Sequence, residues 1–200
     1  MRKENVIPTL GLIATSLIIL GSIFNYSLRL SGHSVTPGMG LTRLGTLIAY
    51  IFIFIVLRYI LVTAPRQSKF RIVIDLIILF EFLGLLATLF VKHETSGKTF
   101  EMIKSAVLGV GLFVFYIWFF VSLVKDHSRK IKALTYLQLF VGLTLTVNLV
   151  SFAIPILFVT KIDPVYYFQT IQPFFIIQYI PLLFFFFKNS GYQSNSLIDS

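Results

Sequence analysis

Six runs of mainly apolar residues divide this chain, at positions 6–24, 44–62, 72–91, 103–124, 134–159 and 171–187. Within each run the apolar side chains cover every face of a helix and do not alternate. The pattern therefore predicts α-helices and not the two-residue period of a β-barrel. A hydrocarbon layer about 30 Å thick is crossed by about 20 residues at about 1.5 Å rise, and each run is long enough to span it. The expected fold class is all-α, a polytopic integral membrane bundle of about six transmembrane helices. Residues 1–188 form its single domain, and a polar tail, residues 189–200, is expected to be disordered.

Composition supports the membrane reading. The 200 residues are 56% hydrophobic and 12% charged, against roughly 45–50% and 25% in an average soluble domain. A soluble core cannot absorb that excess, so lipid or another helix must surround most side chains. Arg2 and Lys3 ahead of the first apolar run give it the outline of a signal peptide. No small-residue cleavage site follows, so the run is expected to stay as the first span.

The chain carries 17 Lys and Arg against 8 Asp and Glu. In a soluble protein that balance would suggest nucleic acid. Here the basic residues lie between apolar runs without interleaved aromatics, so no nucleic-acid partner is expected. Arg2, Lys3, Arg66, Lys69, Arg71, Lys125, Arg129, Lys130, Lys132 and Lys188 fall on one side; Arg29, Arg43, Lys92, Lys98, Lys104 and Lys161 fall on the other, with Arg58 inside a span. Ten against six places both termini in the cytoplasm. With no organelle-targeting signal, the expected location is the cell membrane, specifically a bacterial cytoplasmic membrane.

Short cytoplasmic connections make helices 2 and 3, and helices 4 and 5, antiparallel neighbours. The connection between helices 1 and 2, with Gly32, Pro37, Gly38 and Gly40, is the longest at about eighteen residues. Such loops are functional or merely flexible.

Several chemistries are excluded or unsupported. With no cysteine there is no disulfide, thiolate site or cysteine nucleophile. His33 and His93 fall in separate outer loops and His127 on the cytoplasmic side, so no metal site is expected, and no cofactor. No motif of a zinc protease, a serine hydrolase or an ATPase is present. A chain without an ATPase motif can still serve as a membrane subunit whose partner supplies the energy.

Polar residues inside the spans are the candidates for function. Asp75 lies about 5 Å and Glu81 about 14 Å inside helix 3, which puts Glu81 near the bilayer midplane. Ionisable groups at that depth face a bundle interior or a wet cavity, on a ligand route or in a structural contact. Gly84 and Thr88 share the face of Glu81, either lining a cavity or admitting a close neighbour, whereas Asp75 points roughly 120° away. Arg58 and Asp75 sit at similar depth on a helical hairpin, and a structural ion pair is expected there; snorkelling of Arg58 to the headgroups is the alternative. In helix 5, Thr144, Asn148, Ser151 and Pro155 share one face, either as ligand contacts or as interhelical hydrogen bonds. The small-residue pairs Gly11 with Thr15, Gly45 with Ala49, and Ser105 with Gly109 predict tight helix contacts.

The leading expectation is a transporter, or the membrane subunit of a transport complex, with a small-molecule ligand bound by Glu81, Asn148, Thr144 and Ser151. Its partners are the lipid bilayer and other membrane or ATPase subunits. The alternative is a non-transport interaction protein, such as an immunity, scaffold or assembly factor. An intramembrane enzyme using Asp75 or Glu81 is third, disfavoured because no second acid or base is identified beside either. In size and span count the chain resembles the substrate-binding membrane subunits of vitamin importers. That resemblance is architectural and carries no residues across.

Overall fold

The computed structural model describes residues 3–31, 38–63, 69–90, 98–126, 132–157 and 164–191. All the described elements are helices: α1 (Lys3–Leu30), α2 (Gly38–Thr63), α3 (Lys69–Phe90), α4 (Lys98–Asp126), α5 (Lys132–Leu157), α6 (Pro164–Ile177) and α7 (Tyr179–Gly191). Among the described residues five stretches are long and apolar enough to cross a membrane: Val6–Leu28, Leu44–Leu61, Val107–Lys125, Leu134–Ser151 and Thr170–Ser190. The last of these runs through both α6 and α7.

The helices overrun the apolar runs that predict them. α1 continues through Asn25, Tyr26 and Ser27, where Ser27 Oγ donates to the Ile23 carbonyl at 3.0 Å. With its hydroxyl satisfied inside the helix, Ser27 does not end it where hydropathy alone would. The first connection is shortened as a result. Gly38 and Gly40 belong to α2, so the loop expected to hold about eighteen residues reduces to the short segment between Leu30 and Gly38. α7 likewise runs past Lys188 to Gly191, with Asn189 Nδ2 and Ser190 Oγ donating to the carbonyls of Phe185 and Phe187 at 2.7 and 2.9 Å. The expected tail is thus shortened by three helical residues, and 192–200 lie outside the described residues.

The final run departs more from expectation. A turn at Gln178 interrupts it, between Pro173 and Pro181. Pro181 has no backbone N–H to offer the Ile177 carbonyl one turn back. The Gln178 N–H still reaches the Phe174 carbonyl at 3.1 Å, so helical hydrogen bonding carries up to the turn.

Each helix packs on the next in sequence from α1 to α5, α5 packs on α7, and α7 returns to α1. Six rods thus close a ring, with α6 and α7 counted as one. Three contacts give the direction of its members. Gly11, early in α1, meets Phe186, late in α7. Arg58, late in α2, meets Asp75, early in α3. Gln138, early in α5, donates from Nε2 to the Leu123 carbonyl, late in α4, at 2.9 Å. The starts of α1, α3 and α5 therefore gather at one end, termed proximal, and the starts of α2, α4 and α6 at the distal end.

The proximal half is solid. Leu57, Phe70, Ile74, Phe119, Leu123 and Leu137 are fully shielded there, and Phe70 and Phe119 meet edge to face at 6.0 Å. The outside is apolar as well, with Leu17, Leu20, Phe24, Val107 and Phe187 among the exposed side chains. A surface of that kind suits lipid. Since lipid tails are as apolar as leucine, close van der Waals packing and interhelical hydrogen bonds hold the rods together.

The small-residue pairs behave differently from one another. A Cβ on Gly11 would come within 2.5 Å of the Phe186 ring, and one on Gly111 would collide with Phe80. Tight contacts form there between a glycine and a ring. Gly45 and Gly84 have nothing within 4 Å of that position, so close packing is not what either glycine provides. The side chains of Thr88 and Ser105 lie outside the described residues.

Candidate functional site

Above the solid half the ring is hollow. The interior cavity has a volume of about 260 Å³, ample for several waters or one small organic molecule. Its wall extends from Thr46, Gly109 and Asn148, within about one turn of the distal ends of their apolar spans, down to Tyr50, Glu81 and Tyr116 near the middle.

The floor is aromatic. Tyr50 of α2 and Tyr116 of α4 face each other across the ring, their hydroxyls hydrogen-bonded at 2.7 Å. Phe54 lies edge-on to both rings, at 5.2 and 6.0 Å. Tyr179, the first residue of α7, packs on Tyr50 and on Phe140, each at 6.1 Å. All five rings are buried. Edge-to-face contacts of this sort rigidify a layer more than aliphatic packing does, because ring quadrupoles fix the angles. This layer closes the cavity toward the proximal end.

Glu81 enters the wall from α3. It is 8% exposed and within electrostatic reach of the Tyr50, Tyr116 and Tyr179 phenols. Among the described residues it is the only charged side chain in the lining, and no hydrogen bond or ion pair to its carboxyl is found. From α5, Thr144 and Asn148 join the wall one turn apart, and Gln178 joins at the turn between α6 and α7. Thr144 Oγ1 and Gln178 Oε1 are buried without a hydrogen-bond partner. Buried polar atoms in that state are uncommon in native proteins, and each calls for an explanation.

Glu81, Thr144 and Asn148 are therefore brought to one cavity. Ser151, on the next turn of α5, is half-buried and does not line it. The helix continues through Pro155 to Leu157, and the side chain of Pro155 lies outside the described residues.

Arg58 and Asp75 lie elsewhere. Arg58 Nε bonds Asp75 Oδ1 and Arg58 Nη2 bonds Oδ2 at 3.3 Å, while Arg71 Nε stands 3.8 Å from Oδ2. The Arg58 and Asp75 side chains are 36% and 42% exposed, so this pair sits at the bundle's edge.

Sequence reasoning missed the three tyrosines. Tyr50 and Tyr116 are flanked by aliphatic or aromatic residues, Tyr179 follows Gln178, and each looks like any other large ring in a span. The available signal was their depth. Tyr50 and Tyr116 lie inside the apolar runs, where a phenol needs a partner that lipid cannot supply. Histidines 33, 93 and 127 lie outside the described residues. Among the described residues no three His, Asp or Glu side chains come together as metal ligands.

No protein-family model matches this chain, and neither a curated protein nor a solved structure is similar to it.

Proposed function

We propose that this protein is a small transport-type membrane protein, acting alone or as the membrane subunit of a transport complex, and that it binds a small molecule in the cavity at Glu81. The observation that carries this reading is the cavity itself: a hollow with a mainly apolar wall that bears a buried carboxylate and several uncharged polar groups, inside a bundle whose outer surface is apolar. Buried ionisable groups beside a cavity at mid-span are costly and normally mark a ligand or ion route. An interrupted helix at the site, here at Gln178, is a further trait of transporter binding sites, since it frees backbone and amide groups for a ligand.

In this reading α3 is the sixth span; its 22 residues reach about 33 Å. The basic residues put the proximal end and both termini in the cytoplasm, so the cavity extends toward the outside of a bacterial cytoplasmic membrane. The energy comes from an ion gradient or from an ATPase partner, because no phosphate-binding motif is present in the sequence. Tyr50, Tyr116 and Tyr179 form the inner closure, which must open for passage.

Glu81→Ala is expected to abolish uptake or ligand binding while the protein still folds and inserts. Normal uptake by a well-expressed variant overturns the reading. Orientation is tested separately. The chain has no cysteine, so in a Thr46→Cys variant a membrane-impermeant thiol reagent should label intact cells from outside, and labelling only after lysis would reverse the assigned orientation.

The rival reading is an interaction protein without transport. It is favoured by Gly45, which sits on an exposed face of α2 with open space beside it, where another helix can approach. On that reading Gly45→Leu abolishes partner capture and Glu81→Ala does little.

A further inference from the structure

The lining restricts what the cavity can hold. Its one charge is negative, and among the described residues no basic side chain joins the wall. An anionic ligand would have to sit beside the Glu81 carboxylate with nothing to balance it, in surroundings that magnify the repulsion. A cation meets the reverse situation, since Glu81 supplies the opposite charge and, among the described residues, no basic side chain has taken it.

The remaining groups narrow the kind of cation. Phe113, Tyr116, Phe175 and Tyr179 provide rings, whose negative faces attract positive charge. A hard metal ion is usually held by more than one carboxylate; the lining has a single one, and among the described residues no three His, Asp or Glu side chains come together. The unpartnered Gln178 Oε1 is an acceptor and the Thr144 hydroxyl can accept as well, so the wall has unused capacity for a ligand that donates hydrogen bonds.

Building on the cavity reading above, we infer that the ligand is a small protonated amine. Its ammonium group lies at Glu81, with Thr144 and Gln178 accepting N–H bonds, and its apolar part rests on the surrounding rings.

The test uses the purified full-length protein in lipid discs and three probes matched in shape, differing in charge: benzylammonium, benzyl alcohol and benzoate. Binding is read by calorimetry, with sodium chloride at equal ionic strength as the inorganic control. Benzylammonium should bind saturably, and tighter than either matched probe by about tenfold or more. Glu81→Gln, which keeps the shape of the side chain, should remove that advantage. The ranking on the unaltered protein stands even if the variant fails to fold. Equal or tighter binding of benzoate or benzyl alcohol, an advantage that survives Glu81→Gln, or displacement of benzylammonium by sodium alone would overturn the amine assignment while leaving a ligand cavity in place. No saturable binding of any probe would overturn both.

Discussion

The two acids of α3 stand six residues apart and meet opposite circumstances. Asp75, near the proximal end, is clasped by Arg58 and approached by Arg71, and it stays partly exposed at the edge of the bundle. Glu81, about 9 Å further along the helix, is buried in a cavity wall with no cationic partner among the described residues. The first charge is answered within the chain and so explains itself as structure. The second is answered by no cationic group among the described residues, which is why the proposed ligand site is placed there. The halves around them differ in the same sense, one filled by interlocking side chains and the other hollow above an aromatic floor.

That contrast is open to direct attack. The largest effect on stability should come from Gly11→Ala at the proximal end. Its new methyl would press on the Phe186 ring, which is fully buried and cannot swing away. Helices α1 and α7 must separate, at a cost of about 3 kcal/mol, read as a lower unfolding midpoint in detergent titration. Ligand occupancy of whatever protein remains folded should be unchanged.

A smaller loss is expected at the floor, where the halves meet. Tyr116→Phe leaves the buried Tyr50 hydroxyl without its partner, costing about 2 kcal/mol. Replacing both tyrosines by phenylalanine should recover most of that loss, because no orphaned hydroxyl remains. A double replacement as unstable as the sum of the singles would show that the hydrogen bond is not what holds the floor.

The smallest effect is expected from Asp75→Asn. Its pair with Arg58 is partly exposed, so solvent screening leaves it little weight in stability. Unfolding should shift slightly and ligand binding should not move. A loss of binding here as large as at Glu81 would erase the distinction between the two acids.

Much of the fold was legible because hydrocarbon imposes a length and an all-round apolar pattern, which sequence displays directly. The break at Gln178 was less so. Pro173 and Pro181 are visible in the sequence, but whether a proline bends, interrupts or merely decorates a span depends on what its neighbours do with the freed carbonyl. The loop before α2 was overestimated for a related reason, since Ser27 and its neighbours remain helical past the end of the apolar run.

The site was legible residue by residue and not as a whole. Helical arithmetic places Thr144 and Asn148 on one face of α5 and sets Asp75 apart from Glu81. It cannot say which face turns inward, which is fixed only when the ring closes between α7 and α1. That is why Ser151, grouped with Thr144 and Asn148 by angle, misses the cavity. Tyr50 and Tyr116 join it for the same reason, from helices with no direct tie in sequence.

The most direct test of the central claim is native mass spectrometry of the protein released from lipid discs, comparing the unaltered chain with Glu81→Ala purified in parallel. A small molecule held one-to-one by the unaltered protein and lost from a folded Glu81→Ala is the predicted result. Equal occupancy in both, or an unaltered protein that carries only a non-transport protein partner and keeps it after the substitution, would contradict the assignment of the cavity at Glu81 as the binding site.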